Sequence, residues 1–156
     1  MGGAQVVVRV IREDELTALL ALYRHLHVTD QPLPPRPVVD ALWARIRADP
    51  ALHYLVAEVD GVLAATCTIA VIPNLTRGAR SYGLIENVVT DPAFRRRGLG
   101  RLVLAAARDI GWAAGCYKVM LMTGRRDEAT LRFYASAGFL AGEKSAFVAY
   151  PPASPG

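Results

Sequence analysis

The sequence lacks the cysteine patterns of a disulfide framework or a metal site. Its only cysteines, Cys67 and Cys116, lie in apolar stretches and do not form a Cys-x-x-Cys pair. We therefore expect reduced thiols in the core rather than a disulfide or a catalytic thiol. No cluster of His, Cys, Asp and Glu has the spacing of metal ligands, so we predict no metal.

Long apolar runs are also missing. No run approaches the ~20 residues that a membrane-spanning helix needs, and the first residues lack the charged-then-apolar pattern of a signal peptide. We therefore expect no membrane attachment and a cytoplasmic protein. The 156 residues, 53% of them hydrophobic, predict one domain over residues 1–156 with a sizeable core.

Lysine is scarce, although the chain is basic. Of 18 basic residues only Lys118 and Lys144 are lysine, and the net charge is +4. Such a balance is typical of proteins that bind nucleic acid, a membrane surface or an anionic small molecule. Most of the arginines are dispersed, and no aromatic residues interleave with the dense run at 95–97. An anionic small ligand is therefore favoured over a nucleic acid.

Hydrophobic periodicity predicts an α/β (α+β) fold, with a mixed sheet and helices on both faces. The Asp60-Gly61 dipeptide between two apolar runs predicts an antiparallel hairpin, and a strand–helix–strand unit later in the chain predicts a parallel pair. Four prolines in residues 28–37 indicate a stiff loop without helix or strand pairing. Strands are predicted over residues 5–11, 52–59, 62–72, 82–90, 117–123 and 144–150, and helices over 13–27, 38–48, the segment after Gly98, and 127–137.

The rest of the chain is organised around residues 84–102, where an apolar strand leads through three arginines and a Gly-x-Gly turn into an amphipathic helix. The free N–H groups and the positive dipole at the start of a helix suit a phosphate. The planar guanidinium group of arginine presents parallel N–H donors that match the oxygens of a phosphate. A P-loop is excluded because its lysine is missing, and a dinucleotide fingerprint is excluded because Val103 replaces the third glycine.

The run Arg95-Arg96-Arg97-Gly98-Leu99-Gly100 resembles the acyl-CoA pyrophosphate signature Arg/Gln-x-x-Gly-x-Gly/Ala of the GNAT superfamily of N-acetyltransferases. A second stretch, residues 131–139 with its Phe-Tyr pair and closing Gly-Phe, resembles a helix of the same family. The resemblance implies a mixed, mostly antiparallel central sheet of six to seven strands. It also implies acetyl-CoA as co-substrate and transfer of its acetyl group to a primary amine.

The resemblance further implies a set of contacts with the co-substrate. Backbone amides of residues 96–101 would hold the pyrophosphate, and main-chain groups of residues 88–90 would pair with the pantetheine arm like an added strand. Phe133 would pack near that arm. Asp127 stands where members often carry Asn, and an ionised carboxylate does not donate the amide hydrogen. The cofactor-binding residues implied are Val88, Val89, Thr90, Arg95, Arg96, Arg97, Gly98, Leu99, Gly100, Arg101, Asp127 and Phe133.

Two residues are the catalytic candidates. Tyr134, at the family's tyrosine position, would protonate the departing CoA thiolate, because a phenol and a thiolate have similar basicity; the alternative is a packed aromatic. Glu86 would be the base, acting through a water, if burial among apolar neighbours raises its pKa; the alternative is a buried ion pair with an arginine such as Arg80. The run at 85–89 also resembles the strand of glucosamine-phosphate acetyltransferases, with Asn87 in place of their Asp.

The sequence thus predicts an N-acetyltransferase acting on a small amine, with a preference for an anionic acceptor. Residues 24–40 and 73–81 would form the acceptor pocket, with His25 and His27 at the exposed end of a helix; His53 reads as structural. A non-catalytic acyl-CoA-binding regulatory module and a protein N-acetyltransferase are the alternatives. The sequence is compatible with a homodimer and predicts no nucleic-acid partner.

Overall fold

A five-stranded sheet in the order β1-β2-β3-β4-β5 forms the centre of the first unit of the protein. The structure, a computed structural model, describes residues 3–152, and the chain divides between Leu121 and Met122 into two units. Pairs β1–β2, β2–β3 and β3–β4 are antiparallel, and β4–β5 is parallel, as predicted. The strands are β1 Val6–Val10, β2 Leu52–Val59, β3 Val62–Ile72, β4 Tyr82–Thr90 and β5 Val119–Leu121.

Four helices belong to the first unit and one to the second. A 3-10 turn, Glu13–Glu15, leads into the first helix, and another, Pro92–Phe94, follows β4. The hairpin between β2 and β3 turns at Asp60 and Gly61, whose φ angles of 47° and 85° are those of a tight type I′ connection. The helices are α1 Leu16–Tyr23, α2 Arg36–Ala48, the short α3 Thr76–Ala79, α4 Leu99–Ala113 and, in the second unit, α5 Glu128–Ser136.

Helices cover both faces of the sheet, as predicted. On one face, Leu16, Leu19 and Leu22 of α1 and Val39 and Trp43 of α2 pack with Val56, Leu63 and Val89 of the sheet. On the other face lies α4, whose Gly111 is so close that an added Cβ would lie 2.6 Å from Val119 and 3.6 Å from Ile69. Alternation of side chains across the strands supplies apolar residues to both layers.

Ion pairs fasten the β1 edge to its neighbours. The half-buried Arg9 guanidinium donates to Glu15 at 2.6 Å and also bonds Glu58 on β2. The hydrogen bond from Arg9 holds the pKa of Glu15 below its usual value, and the same pairing raises the pKa of Arg9. The 3-10 turn before α1 is thus tied by charge to two strands.

The C-terminal strand is the main error in the predicted fold. Residues 144–150 form no strand in the described chain, and Phe147 is 95% exposed, so the sheet has five strands rather than six to seven. The segment has β-branched and aromatic residues, but strand propensity needs a pairing partner. Strand β5 is also shorter than the predicted 117–123, and α1 ends at Tyr23 rather than at residue 27.

Pro37 lies inside α2, although the prolines of residues 28–37 were predicted to exclude helix. It occupies the first turn, where a missing N–H costs nothing because that group has no helical acceptor. Both cysteines are free and buried, as predicted, and burial raises the pKa of Cys67 to about 12. Among residues 3–152, no helix combines the length and apolarity needed to cross a bilayer.

Candidate active site

A bulge in β4 is the central feature of the site. Thr66 pairs with Val89 and Thr68 pairs with Glu86, so that β4 has one residue more than β3 between these pairs. Asn87 takes up the extra length with a φ of +54°. Asn adopts this left-handed conformation more readily than most residues, because its short polar side chain bonds locally. A bulge of this kind leaves local backbone groups unpaired and redirects side chains.

The bulge changes the face of the sheet to which the side chains of β4 belong. Ile85 pairs with Ile69, which faces α4, so Ile85 faces α4 as well. Val89, four residues on, would share that face in a regular strand, but it packs with the α1–α2 cluster. Glu86, adjacent to Ile85, therefore points to the α1 side of the sheet.

Glu86 is exposed on that side, and the prediction that it is buried is wrong. Its backbone oxygen accepts from Thr68 Oγ1 at 3.0 Å, and its carboxylate has no ion pair among the described residues. The alternative of a buried pair with Arg80 is also wrong, because the Arg80 guanidinium bonds the backbone of Arg77 at 3.1 Å. An exposed carboxylate on the α1 side is accessible to an amine or to a water.

The second half of β4 has a strand neighbour on one side only in the first unit. Strand β5 pairs with Gly83, Leu84 and Ile85 and goes no further. Val88 and Thr90 are half-buried and Val89 is buried, so this backbone edge is flanked by apolar side chains. An edge with free main-chain groups is what an extended ligand needs in order to add as a strand.

The turn after β4 has the features of an anion site. Asp91 caps the 3-10 turn by accepting from Ala93 N at 2.8 Å. Arg96 and Gly98 both have positive φ, 63° and 75°, and Gly98 is the N-cap of α4. The first N–H groups of this 15-residue helix therefore emerge at a sharp turn, with the positive end of its dipole.

The charged side chains of residues 95–101 are all positive. Arg95, Arg96, Arg97 and Arg101 are all exposed, and none has a carboxylate partner among residues 3–152. The Arg97 guanidinium lies 5.3 Å from the centre of the Phe94 ring, which holds it near the turn. Leu99 and Gly100 are buried and anchor the helix start. The described turn thus combines backbone donors with unneutralised positive charge.

The second unit holds the remaining predicted residues. Asp127 is the N-cap of α5: its carboxylate accepts from Thr130 N at 3.0 Å and from Thr130 Oγ1, and it pairs with Arg125 at 2.9 Å. The bond from the Thr130 backbone holds the pKa of Asp127 below its usual value. Phe133 and Tyr134 are half-buried, with ring centres 5.0 Å apart. Asp127 therefore has a structural role in starting the helix that carries both rings.

The loop before β4 carries a cationic cluster that the sequence did not reveal. Arg77 and Arg80 lie 5.9 and 6.0 Å from the centre of the Tyr117 ring, and Lys118 lies 5.5 Å from it. None of the three cations has a carboxylate partner in the part of the chain described. Because Arg77 and Lys118 lie about 40 positions apart, periodicity gave no signal of their proximity.

One histidine, His25, contacts Asp91 at the turn after β4. Its Nε2 lies 3.8 Å from Oδ2 of Asp91, which places the end of α1 beside the end of β4. His27 is exposed, and His53 is half-buried in β2 opposite Ile69. In residues 3–152, no group of three or more His, Cys, Asp and Glu side chains is arranged to hold a metal ion.

Comparison with known proteins gives a family match across both units. The model of the Acetyltransferase (GNAT) family matches residues 16–139. A curated relative, glucosamine 6-phosphate N-acetyltransferase of Trypanosoma brucei brucei, is 33% identical over 136 residues, which cover 87% of this chain and 90% of that protein. The chain spans about half the length of the rice and Arabidopsis enzymes with related names that it also matches.

Solved structures agree with this match. A candidate acetyltransferase from Agrobacterium tumefaciens strain C58 has 41% identity and a TM-score of 0.85, over 92% of this chain and 99% of that one. Glucosamine-6-phosphate N-acetyltransferase from Arabidopsis thaliana has 25% identity and a TM-score of 0.80, over 96% of this chain and 99% of that one. The similarity therefore covers nearly the whole chain.

Proposed function

Because this chain belongs to the acetyltransferase (GNAT) family and its co-substrate is acetyl-CoA, we propose that it transfers the acetyl group to the amine of glucosamine 6-phosphate. The trypanosomal relative named for that substrate is similar over 87% of this chain, including the whole of β4. The relatives' acceptor is a small sugar phosphate, which favours a small molecule over a protein acceptor.

The Glu86-Asn87 pair at the bulge carries the proposal. The run it belongs to resembles that of the glucosamine-phosphate enzymes, in which Asp follows Glu. Asn87 has a φ of +54°, and Asp and Asn are the two non-glycine residues that tolerate this conformation best. The exchange of Asp for Asn therefore keeps the backbone geometry that presents Glu86 on the α1 side.

Positive charge near the predicted acceptor loop supports an anionic acceptor. Arg77 and Arg80 come from residues 73–81, and together with Lys118 they surround Tyr117 without a neutralising carboxylate in the described chain. Hydrogen bonds to charged groups are worth about 1.5–3 kcal/mol, more than neutral ones. A phosphate on the acceptor would therefore add affinity through charge.

We assign the steps of the reaction as follows. Glu86, through a water, takes a proton from the attacking amine. A backbone N–H near Val88 or Val89 stabilises the negative charge that develops on the thioester carbonyl oxygen. Tyr134 gives a proton to the CoA thiolate as it leaves. Amides at the start of α4 and the arginines of the turn hold the pyrophosphate, and Phe133 packs near the pantetheine arm.

The test is a panel of amines screened for CoA release. We expect kcat/KM for glucosamine 6-phosphate to exceed that for glucosamine at least about tenfold, the ratio that about 1.4 kcal/mol of charge recognition gives. Glucosamine is the matched control because it keeps the amine and the sugar. Equal kcat/KM values for the two would contradict the proposed acceptor, as would faster turnover of an unrelated amine.

A variant of Glu86 tests the assigned base. Glu86→Gln keeps the size of the side chain and should lower kcat roughly 10²-fold, with a small effect on KM for acetyl-CoA. Undiminished kcat in this variant, at saturating acceptor, would remove Glu86 from the mechanism while leaving the acceptor assignment intact.

A further inference from the structure

Three consecutive residues in the loop before β4 have a left-handed backbone. The φ angles of Arg77, Gly78 and Ala79 are 57°, 71° and 57°. Residues with a side chain usually adopt this conformation singly, because their Cβ lies too close to the following carbonyl oxygen. Such a turn persists only where surrounding contacts hold it, and strained backbone of this kind clusters at functional sites.

One side chain, that of Asn74, closes this left-handed turn. Its Nδ2 donates to the backbone oxygen of Thr76 at 3.0 Å, to Thr76 Oγ1 at 2.9 Å and to the backbone oxygen of Arg80 at 3.2 Å. Asn74 is half-buried, whereas residues 75–80 are all exposed. The amide therefore ties the residue before the left-handed turn to the residue after it.

The closed turn brings two arginines to one aromatic ring. Arg77 and Arg80 lie 5.9 and 6.0 Å from the ring centre of Tyr117. Lys118 lies 5.5 Å from the same centre, and rings attract cations within about 6 Å. We call these three cations and their ring the Tyr117 cluster. The cations repel one another and have no carboxylate partner in the described chain, so an anion among them would relieve the repulsion.

The Tyr117 cluster contacts a residue on the same face of β4 as Glu86. Lys118 lies 5.4 Å from the ring centre of Tyr82, the first residue of β4. Tyr82 and Glu86 are four positions apart, before the bulge, so their side chains point to one face, about 13 Å apart along the strand. A small acceptor with its amine toward Glu86, through a water, would direct its anionic group toward the cluster.

We propose that Asn74 is a positioning residue: by closing the left-handed turn it holds Arg77 and Arg80 in the Tyr117 cluster, where the phosphate of the acceptor binds. Asn74 itself acts through the two arginines and not on the acceptor. The inference rests on the proposed function for the identity of the acceptor, whereas its binding test uses a sugar phosphate that has no amine.

Calorimetry with glucose 6-phosphate tests the positioning without turnover. Glucose is the matched control ligand, because it lacks only the phosphate. We expect the wild type to bind glucose 6-phosphate more tightly than glucose, and Asn74→Ala to raise the Kd for glucose 6-phosphate about tenfold, which corresponds to about 1.4 kcal/mol. The Kd for CoA should stay unchanged. Equal binding of the two sugars by the wild type, or an unchanged Kd in Asn74→Ala, would overturn the inference.

Relief of the backbone strain should compensate for the missing amide. Ala79→Gly removes the Cβ that disfavours a φ of 57°. The double variant Asn74→Ala/Ala79→Gly should therefore bind glucose 6-phosphate within about threefold of the wild type. A double variant as weak as Asn74→Ala would contradict a role through the turn.

Two glycine variants separate the turn from general destabilisation. Gly78→Ala adds strain to the left-handed turn and should raise the Kd for glucose 6-phosphate. Gly61→Ala is the matched control, because Gly61 also has a positive φ, 85°, and no atom lies within 4 Å of an added Cβ at either glycine. It should lower Tm by a similar amount and leave this Kd unchanged. An equal rise in Kd in both variants would refute the positioning role.

Kinetics separate this inference from the proposed substrate. In Asn74→Ala we expect the KM for glucosamine 6-phosphate to rise about tenfold, with kcat and the KM values for glucosamine and acetyl-CoA unchanged. A fall in kcat with unchanged KM would overturn the inference, since a residue that positions the phosphate site acts on binding. If glucose 6-phosphate binds through Asn74 but a different amine is acetylated, the proposed substrate is refuted and the positioning role stands.

Discussion

Nε2 of His25 lies 3.8 Å from Oδ2 of Asp91, while Oδ1 of the same carboxylate accepts from Ala93 N at 2.8 Å. One side chain thus links the end of α1 to the turn that leads from β4 to the arginine-rich loop. The two functions of the carboxylate are separable, because a cap requires only an acceptor oxygen whereas an ion pair requires charge.

Asp91→Ala should destabilise the protein by about 1 kcal/mol, the usual loss on removing a cap, and should weaken CoA binding because the turn before Arg95 loses its support. Asp91→Asn keeps an acceptor oxygen and should retain most of both properties. Urea denaturation and calorimetry with CoA measure the two effects. Equal damage from Asn and Ala would show that charge, rather than capping, is what matters at Asp91.

Gly98→Ala should lower both stability and affinity for CoA. Its φ of +75° penalises a side chain by about 1–2 kcal/mol, although the nearest atom to an added Cβ, Arg101 Nη2, is at an ordinary 3.7 Å. Relief of that strain would turn the amides at the start of α4 away from the pyrophosphate.

Gly115→Ala is the matched control for Gly98→Ala. Gly115 has the same φ of +75° just beyond the other end of α4, with no atom within 4 Å of an added Cβ. It should cost similar stability and leave CoA affinity unchanged. If calorimetry shows the same affinity loss in both variants, the effect reflects general destabilisation and the pyrophosphate assignment loses its support.

Tyr134→Phe should lower kcat by about 10²-fold while KM for acetyl-CoA changes little, because the phenol would act only as the thiolate leaves. The variant keeps the ring that contacts Phe133 at 5.0 Å between centres. Steady-state kinetics at saturating acetyl-CoA give the two parameters. Unaltered kcat would leave Tyr134 as a packed aromatic.

Acid should weaken the fold partly through Glu15. Its pKa is lowered by the hydrogen bond from Arg9, so the ionised form stabilises the protein above the unfolded value near 4.5, and this contribution is lost as the pH falls through the lower folded value. Glu15→Gln should cost about 1–2 kcal/mol at pH 7 and flatten the decline in stability below about pH 4.5.

Urea midpoints at pH 7, 5, 4 and 3 check the behaviour of Glu15→Gln. Glu128→Gln is the control, since Glu128 is 79% exposed and forms only a surface pair with Arg132. It should change neither the midpoint at pH 7 nor the slope with pH. A Glu15 variant that keeps the full acid sensitivity of the wild type would assign that sensitivity to other carboxylates.

Strands with strong local signals were predictable from the sequence. The bounds of β2, β3 and β4 match the predicted 52–59, 62–72 and 82–90, because the Asp60-Gly61 turn and the apolar runs are read locally. The prediction of a C-terminal strand was wrong because residues 144–150 have the composition of a strand but no neighbouring strand to pair with. Arg77 and Lys118 meet at Tyr117 through tertiary structure, which no local pattern encodes.

One segment of the candidate site has the predicted local structure, and the environment of one candidate residue was predicted wrongly. The turn at residues 95–100 has the glycine conformation and helix start that its motif indicated. The prediction that Glu86 is buried was wrong, because the exposure of a strand residue depends on which other elements pack over it, and the sequence of β4 does not show them. Whether Glu86 and Tyr134 act as assigned stays a prediction.

The bulge at Asn87 also bears on how the length of β4 can vary. Before it, β4 supplies Ile85 to the α4 layer; after it, β4 supplies Val89 to the α1 layer. Deleting Asn87 would restore a regular strand in which Glu86 and Val89, then two positions apart, still face the α1 side, so both core layers would be kept while the left-handed turn beside Glu86 is lost. The packing of the two layers therefore does not require the extra residue, whose effect is on the backbone beside Glu86 and Val88.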